Sequence, residues 1–350
     1  MPITEVSQLD VSFRGTEANN IFLEPVFFDD DLRGQFRILG NVANKKKMVF
    51  VQQLENIVRK YSGCGFNPVG SVSIYDRTID VEKMKVDLEM CWDEFEDTVF
   101  EELLKTGTRL PDVSGTLIEN ILLTRTQQAI RQDVQRLSYF GQQSSNNPNY
   151  DALDGLWTVY YPQLVTDALV PRTNTGSGSD LAAGDGFDIL RAIYDQAPLQ
   201  LKGLPAAQKV FNVTGSVYSQ LREDIENGGG GDYGLLQLIN GVEQFTFRGV
   251  PVIAQWKWDD ILTSLGTTKP HYVEYTTPQN KVLATDVLSP ETALELWYDQ
   301  KDEKVYIKAR FKMGVNYIHH SLISLGYQCH GGGYCNHNVI NCLSILRGGI

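Results

Sequence analysis

The chain has 350 residues, 42% hydrophobic and 21% charged, a globular composition with enough apolar material for a sizeable core. Its 31 Lys and Arg stand against 43 Asp and Glu, a formal charge of −12. That balance excludes a general nucleic-acid clamp, because neutralising phosphates needs clustered basic residues.

Disorder, collagen-like repetition and coiled-coil bias are excluded by composition as well. No window reaches the roughly 18 consecutive apolar residues of a membrane-spanning helix. Met1-Pro2-Ile3-Thr4-Glu5 has no basic segment leading into an apolar one, so a secretory signal is not expected and the chain should remain in cytosol. The five cysteines, Cys64, Cys91, Cys329, Cys335 and Cys342, are an odd number in a reducing compartment, which argues against a disulfide framework. The length suggests two or more compact units, or one with long excursions.

Residues 1–35 lack periodicity and are punctuated by Asn19-Asn20, Pro25 and Asp29-Asp30-Asp31, which predicts an extended arm with little core of its own. Residues 36–91 read as β structure around an irregular middle. Phe36, Ile38 and Met48–Val51 are strand-like, with the basic run Lys45-Lys46-Lys47 between them. Leu54, Ile57, Val58 and Tyr61 recur at helical spacing until Gly63, Gly65, Pro68 and Gly70 break the pattern. Alternation over Ile79–Val86 predicts a two-sided ribbon, and the whole stretch reads as a long projecting hairpin.

Trp92–Thr106 predicts an amphipathic helix. Trp92, Phe95, Val99, Leu103 and Leu104 form its apolar stripe; Asp93, Glu94, Glu96, Asp97, Glu101 and Glu102 form its acidic side; Gly107 stops it. Val113–Tyr139 is the longest helical candidate, capped by Asp112 or Ser114. Its stripe runs through Val113, Leu117, Ile118, Ile121 and Leu122, thins at Thr124–Gln128, and resumes at Ala129, Ile130, Val134 and Leu137. At about 1.5 Å per residue such a helix crosses a whole domain.

Gly141–Tyr150 is a loop and Trp157–Tyr161 is strand-like. Thr173–Gly186 is a Gly/Ser loop, Asp188–Tyr194 begins a helix or strand, Lys209–Val213 is a buried strand, and Ser216–Ile225 is a helix. Gly228–Gly231 is the most permissive backbone in the chain, and Leu235–Ile239 follows it. The last third alternates as strands: Phe245 and Phe247, a bend at Arg248-Gly249, then Val250, Val252, Ala254 and Trp256. After the short buried run Val282–Ala284, Leu294, Leu296 and Tyr298 pair through a turn at 300–303 with Val305, Ile307, Ala309, Phe311 and Met313. No repeat of 20–50 residues is visible.

Little in the sequence carries chemistry. Gly228–Gly231 is not followed by Gly-Lys-Ser/Thr, and Gly184-Asp185-Gly186 lacks a strand–glycine–helix unit, so both read as surface loops rather than phosphate cradles. The acidic groups Asp29–Asp31, Asp93–Asp97 and Asp259-Asp260 are weak candidates for catalytic carboxylates, and the second lies on the polar face of a helix, where solvation explains it. There is no Gly-x-Ser-x-Gly and no His-Glu-x-x-His, and every histidine lies at or after His271. His319 and His320 are adjacent, so on a strand they would point to opposite faces. The tail holds Cys329, Cys335, His337 and Cys342, four N/S groups that could bind structural zinc although the usual Cys-x-x-Cys corner is missing. Incidental thiols on a flexible tail, or a redox cross-link, are the other readings.

The order of parts resembles the major capsid proteins of tailed bacteriophages, with the Hong Kong 97-type shell fold. Arg77-Thr78-Ile79-Asp80-Val81-Glu82 looks like the return strand of that family's extended loop, and Val113–Tyr139 looks like its spine helix. Phe140-Gly141 with Asp154-Gly155-Leu156 resembles the glycine-marked exit from the spine. Phe247-Arg248-Gly249-Val250-Pro251-Val252 and Lys304–Tyr317 resemble its late strands. The resemblance covers most of 36–325. It implies an α+β fold with an N-terminal arm (1–35), an extended loop (36–91), a peripheral domain (92–150 and 241–325) and an axial domain (151–240), leaving a Cys/His-rich tail at 326–350.

It further implies a non-enzymatic shell subunit with no cofactor. Such a subunit would form pentamers and hexamers with copies of itself around double-stranded DNA, without sequence-specific binding or a membrane, in the virion after assembly in host cytoplasm. Portal and scaffolding proteins would be its other partners. Lys45, Lys46, Lys47, Arg59 and Lys60 would meet a neighbour's acidic helix face at Asp93, Glu94, Glu96 and Asp97, or else be merely solvated. The alternatives are a cargo-enclosing compartment of the same fold and a zinc-containing soluble enzyme.

Overall fold

The longest alternation in the sequence forms the longest strand: Lys304–Tyr317 (β14) spans 14 residues with Val305, Ile307, Ala309, Phe311 and Met313 buried. The structure is a computed structural model that describes residues 10–14, 24–27, 30–51, 60, 74–91, 117–176, 179–226, 234–239, 242–286, 293–299, 301–302 and 304–328. Beside β14 lie β13 (Ala293–Asp299), which pairs antiparallel from Ala293↔Arg310 to Asp299↔Lys304, and β12 (Lys281–Thr285). The sheet order is β1 (Asp10–Arg14), β13, β14, β12, β2 (Arg37–Leu39), with β5 (Glu82–Cys91) also paired to β14. Met313 pairs with both Glu82 and Thr285, so β5 and β12 flank β14 there.

A second sheet has seven strands: β6 (Arg172–Asn174), β15 (Ile323–Tyr327), β11 (Val273–Thr276), β7 (Val210–Val213), β10 (Val250–Ala254), β9 (Val242–Phe247) and β8 (Gly234–Ile239). All four residues of β7 and all four of β11 are buried, as expected for central strands covered on both faces. Arg248 and Gly249, with φ of 49° and 78°, make the two-residue turn from β9 to β10, the tight bend expected there. Two segments cross between the sheets: β11 leads through Pro278–Asn280 into β12, and β14 leads through His320–Leu322 into β15.

Helices α1 (Glu24–Phe27) and α2 (Asp30–Gln35) revise the reading of the first segment. Val26, Phe27, Leu32 and Phe36 belong to the main core, and Phe27 meets Phe311 at 5.5 Å. The described part of this arm is therefore anchored to its own body, since its few large side chains are spent on core contacts.

Helix α3 (Leu117–Phe140), 24 residues long, is the expected spine. Its buried row is Thr126, Ile130, Val134 and Ser138, at intervals of four; Ala129, expected in the stripe, is exposed. The spine ends where Gly141 passes under the next turn, a crossing in which a Cβ on Gly141 would lie 2.3 Å from the Leu153 carbonyl oxygen.

Leu156–Tyr160 is a π-helical turn rather than the expected strand, and it runs into α4 (Tyr161–Thr166). The Gly155 carbonyl accepts from both Val159 and Tyr160 N–H, at 3.2 and 3.3 Å. The turn aims Trp157 into a cage of Tyr161, Trp258, Tyr272 and Tyr327, with ring centroids 5.0–6.1 Å apart. Burying aromatic area of this kind is worth about 1.5–3 kcal/mol per ring, which a strand at this position would forgo.

The second sheet is covered by α5 (Asp185–Gln196) and α7 (Gly215–Glu226), whose Phe187, Leu190, Ile193, Val217 and Leu221 pack with Phe211, Phe247 and Tyr275. Short α6 (Leu199–Lys202) follows α5. Trp256, expected to extend β10, instead begins α8 (Trp256–Ser264) and is 58% exposed. The predicted helices at 52–61 and 92–106 and the Gly228–Gly231 segment lie almost wholly outside the described residues.

Candidate assembly surfaces and the junction between the sheets

Strands β3 (Lys45–Val51) and β4 (Ile74–Asp80) pair antiparallel from Lys45↔Asp80 to Val51↔Ile74, giving the reach predicted for a projecting hairpin. The hairpin is narrower than 36–91, because β2 and β5 on either side of it join the six-stranded sheet. Directly opposed residues share a face, so its two faces can be read off the register.

One face rests on the body. Met48 and Ile79 are buried with Val42, Val282 and Ala284; Phe50 stacks on His319 at 4.2 Å; and the Arg77 guanidinium lies 3.8 Å over the Tyr317 ring. The other face has two halves. Near the base Lys45 pairs with Asp80 at 3.0 Å and Lys47 pairs with Asp76, whose carboxyl is held below its ordinary value chiefly by that hydrogen bond. Toward the tip Val49, Val51 and Ile74 are 58%, 54% and 63% exposed. Side chains of this kind left together on a ribbon mark a contact surface more often than a solvent face.

The basic run is therefore already engaged in part: Lys45 and Lys47 have carboxylates within their own hairpin, while Lys46 and Lys60 are exposed. Arg59, Asp93, Glu94, Glu96 and Asp97 lie outside the described residues, and so do Cys329, Cys335, His337 and Cys342. His319 and His320 do not point apart. His319 is extended but caps the 3-10 turn His320–Leu322, and that turn brings the two rings into a stack at 4.5 Å.

Among the described residues, the most deeply buried ion pair sits where β11 passes into β12. Glu274 and Lys281, both with fully buried side chains, meet at 2.6 Å. Asn212, opposite Glu274 in the β7–β11 register, donates to the same carboxylate at 2.7 Å, and Tyr161 donates to its other oxygen. Lys281 also donates to Tyr139 Oη at 3.0 Å, and Tyr139 donates in turn to Gln35 at 3.1 Å. Burial pulls the Lys281 amine down against the opposing pull of Glu274. Burial pushes the Tyr139 and Tyr161 phenols well up, with Glu274 adding to it, so both remain hydrogen-bond donors. The network joins both sheets, the spine and the arm, and each member was unremarkable in sequence: a charged, amide or tyrosine residue within an apolar strand or helix.

A cleft of about 820 Å³ opens between α7, α8 and the 266–271 loop, lined in part by Ser216, Glu223, Asp259, Lys269 and His271. Ser216 Oγ lies 2.9 Å from His271 Nδ1, a spacing that invites a nucleophile–base reading. The surrounding contacts explain the pair structurally. His271 Nε2 is held by the Ser179 carbonyl at 2.8 Å, Ser216 Oγ contacts the Pro270 carbonyl, and Asp259 accepts from Gly215 N–H at 2.6 Å and Ser216 N–H at 3.4 Å. Burial holds the Asp259 carboxyl above its usual range although those amides pull it down. The carboxylate thus caps α7 and aims at backbone, and the imidazole ties a loop to the end of β11. At the other Gly-rich loop, Gly184 N–H donates to Asp224 at 2.7 Å, so a carboxylate occupies the place a phosphate would take. Among the described residues no group of three His, Cys, Asp or Glu could hold a metal, and no helix is long and apolar enough to cross a membrane.

No family model matches the sequence, and no curated protein matches it. Solved structures do match in three dimensions. A chain of the satellite phage P4 procapsid with its size determination protein superposes with a TM-score of 0.52 at 11% identity, covering 88% of this chain and 98% of that one. The capsid of Myoviridae phage XM1 gives 0.53 at 14% identity, covering 87% and 92%. The capsid of a native GTA particle gives 0.52 at 12%, covering 94% and 95%. The chain has the Hong Kong 97-type shell fold. Coverage of 87–94% of this chain means that the likeness extends over most of its length rather than one shared motif.

Proposed function

We propose that this chain is a major capsid protein of a tailed phage, assembling into pentamers and hexamers that close an icosahedral shell around double-stranded DNA. The supporting observation is the hairpin: one face is packed on the chain's own body, while Val49, Val51 and Ile74 on the other are left in solvent. A second copy of the chain would bury them, and many such contacts, each modest, stabilise a closed particle. Net acidity keeps the shell from adhering firmly to the DNA it encloses. On this reading 241–325 is not wholly peripheral as the resemblance implied: the axial unit is 151–240 completed by β9, β10, β11 and β15, and the peripheral unit takes the spine and the six-stranded sheet. Lys46 and Lys60, with Arg59, would meet the neighbour's Asp93–Asp97 stretch. Scaffolding and portal proteins would be separate chains, and assembly would take place in host cytoplasm.

Negative-stain microscopy of the purified chain tests this directly. Shells or capsomer rings are expected; a uniform population of monomers at all concentrations would overturn it. Nuclease-protected DNA in particles from the native source, rather than a protein cargo, separates a virion from a compartment. The double substitution Val51→Asp with Ile74→Asp is expected to reduce particle yield at least tenfold while the circular dichroism of the unassembled chain is unchanged, because both positions are exposed in the single chain. Particle yield equal to wild type would place the contact elsewhere.

A further inference from the structure

The hairpin touches the body at two levels. At its base Asn316 donates to the Thr78 carbonyl at 2.9 Å, and Met48 and Ile79 are buried against Val282 and Ala284. Farther out, the contact is aromatic and centred on one ring: His319, 6% exposed, stacks on Phe50 at 4.2 Å and meets the edge of Tyr75 at 5.3 Å. We propose that this outer contact is a pH-sensitive latch: in acid the His319 ring takes up a proton and the distal half of the hairpin leaves the body while its base stays attached.

The proton inventory of the ring supports this. Ser321 N–H lies 3.3 Å from His319 Nδ1, a contact that favours the tautomer with its proton on Nε2. Nε2 is buried without a hydrogen-bond partner. A second proton would have to enter at Nδ1, against that N–H. The acceptor in reach is Ser321 Oγ, which also contacts Gln200 at 2.5 Å.

The groups around the ring are Phe50 from β3, Tyr75 and Arg77 from β4, and His320 and Ser321 from the following turn, with Gln200 of α6 behind Ser321. Those that act on it electrostatically, His320 and Arg77, are both cationic in acid. Carboxylates act on the neighbouring phenols: Asp154 and Asp80 on Tyr160, and Asp167 on Tyr317. Burial, then His320, then Arg77 push His319 down to about 4, and burial with Arg77 pushes His320 down as well.

The docked state therefore favours the neutral ring. Docking is at full strength above the ordinary histidine value near 6.5, weakens as pH falls through it, and reaches its floor below about 4. Because His320 stays beside the ring after undocking, about 300-fold is the upper bound of that weakening, and about 80-fold the bound at pH 4.5. None of this depends on the shell reading.

Amide hydrogen exchange on the full chain tests it, comparing pH 7.5 with pH 4.5 after scaling for intrinsic rates. Protection of amides in 49–51 and 74–76 is expected to fall by tens of fold at pH 4.5, while the base of the hairpin (45–48 and 77–80) and β14 keep theirs. His319→Phe preserves the stack without a titratable nitrogen and should hold the hairpin protected at both pH values. His320→Gln removes one cation and should leave a smaller loss than wild type. The latch is overturned if wild-type hairpin protection is equal at the two pH values, if β14 loses as much as the hairpin, or if His319→Phe loses as much as wild type.

Discussion

Replacing Glu274 by Leu is expected to destabilise the chain by about 3–5 kcal/mol, because Lys281 would remain as an uncompensated charge with no exposed surface. The same substitution also strips Asn212 and Tyr161 of their acceptor. The double variant Glu274→Leu, Lys281→Met removes both charges and should recover most of that loss. It would end about 1–3 kcal/mol below wild type, since the Tyr161 hydroxyl is left buried without a partner. Urea unfolding of the unassembled chains measures both; a single variant within about 1 kcal/mol of wild type would mean that water reaches the pair.

Gly314→Ala is expected to cost about 3 kcal/mol, at the upper end of overpacking effects. A Cβ on Gly314 would sit 2.0 Å from the Asp80 carbonyl oxygen and 3.2 Å from Val81 Cα, atoms of the backbone that ends β4. No rotamer change relieves a clash with main chain, so the hairpin base must lift off β14 or β14 must bend. Gly314 is paired with Ala284, and all five residues from Met313 to Tyr317 are buried, one side by the core and the other by the hairpin base. Thermal denaturation gives the loss. Faster proteolysis between 45 and 80 in the variant would place it at the hairpin, whereas an unchanged melting temperature would refute the close approach.

These two sites bear on the proposed role together. The Glu274–Lys281 network ties the two sheets where β11 becomes β12, and Gly314 lets the hairpin lie tightly across β14. A subunit that must hold a fixed angle between its halves while presenting a reaching ribbon needs one rigid junction and one close seat. A buried polar network, worth little net stability, provides geometric definition to the first.

Much of the secondary structure was legible because burial leaves a local trace. Alternation at Val305–Met313 marked β14, and Phe140-Gly141 marked the end of the spine. Lys209–Val213 marked a strand buried on both faces. Where the local trace was ambiguous the reading failed: Trp157–Tyr161 fits a strand or a helical turn equally, and the aromatic cage around Trp157 decided it. Ala129 and Thr126 exchanged expected places because the buried row of the spine follows its neighbours rather than hydrophobicity alone.

What the sequence determined unaided is the order of elements and the presence of a ribbon that its own core cannot fully cover, since both follow from periodicity and from where glycine and proline interrupt it. What only the tertiary structure decided is which polar residues meet. Glu274 finds Lys281 across a sheet junction, and His319 finds Phe50 from 269 positions away in the chain. No local rule assigns a partner to a charge or an imidazole; that choice is made by the path of the backbone in space.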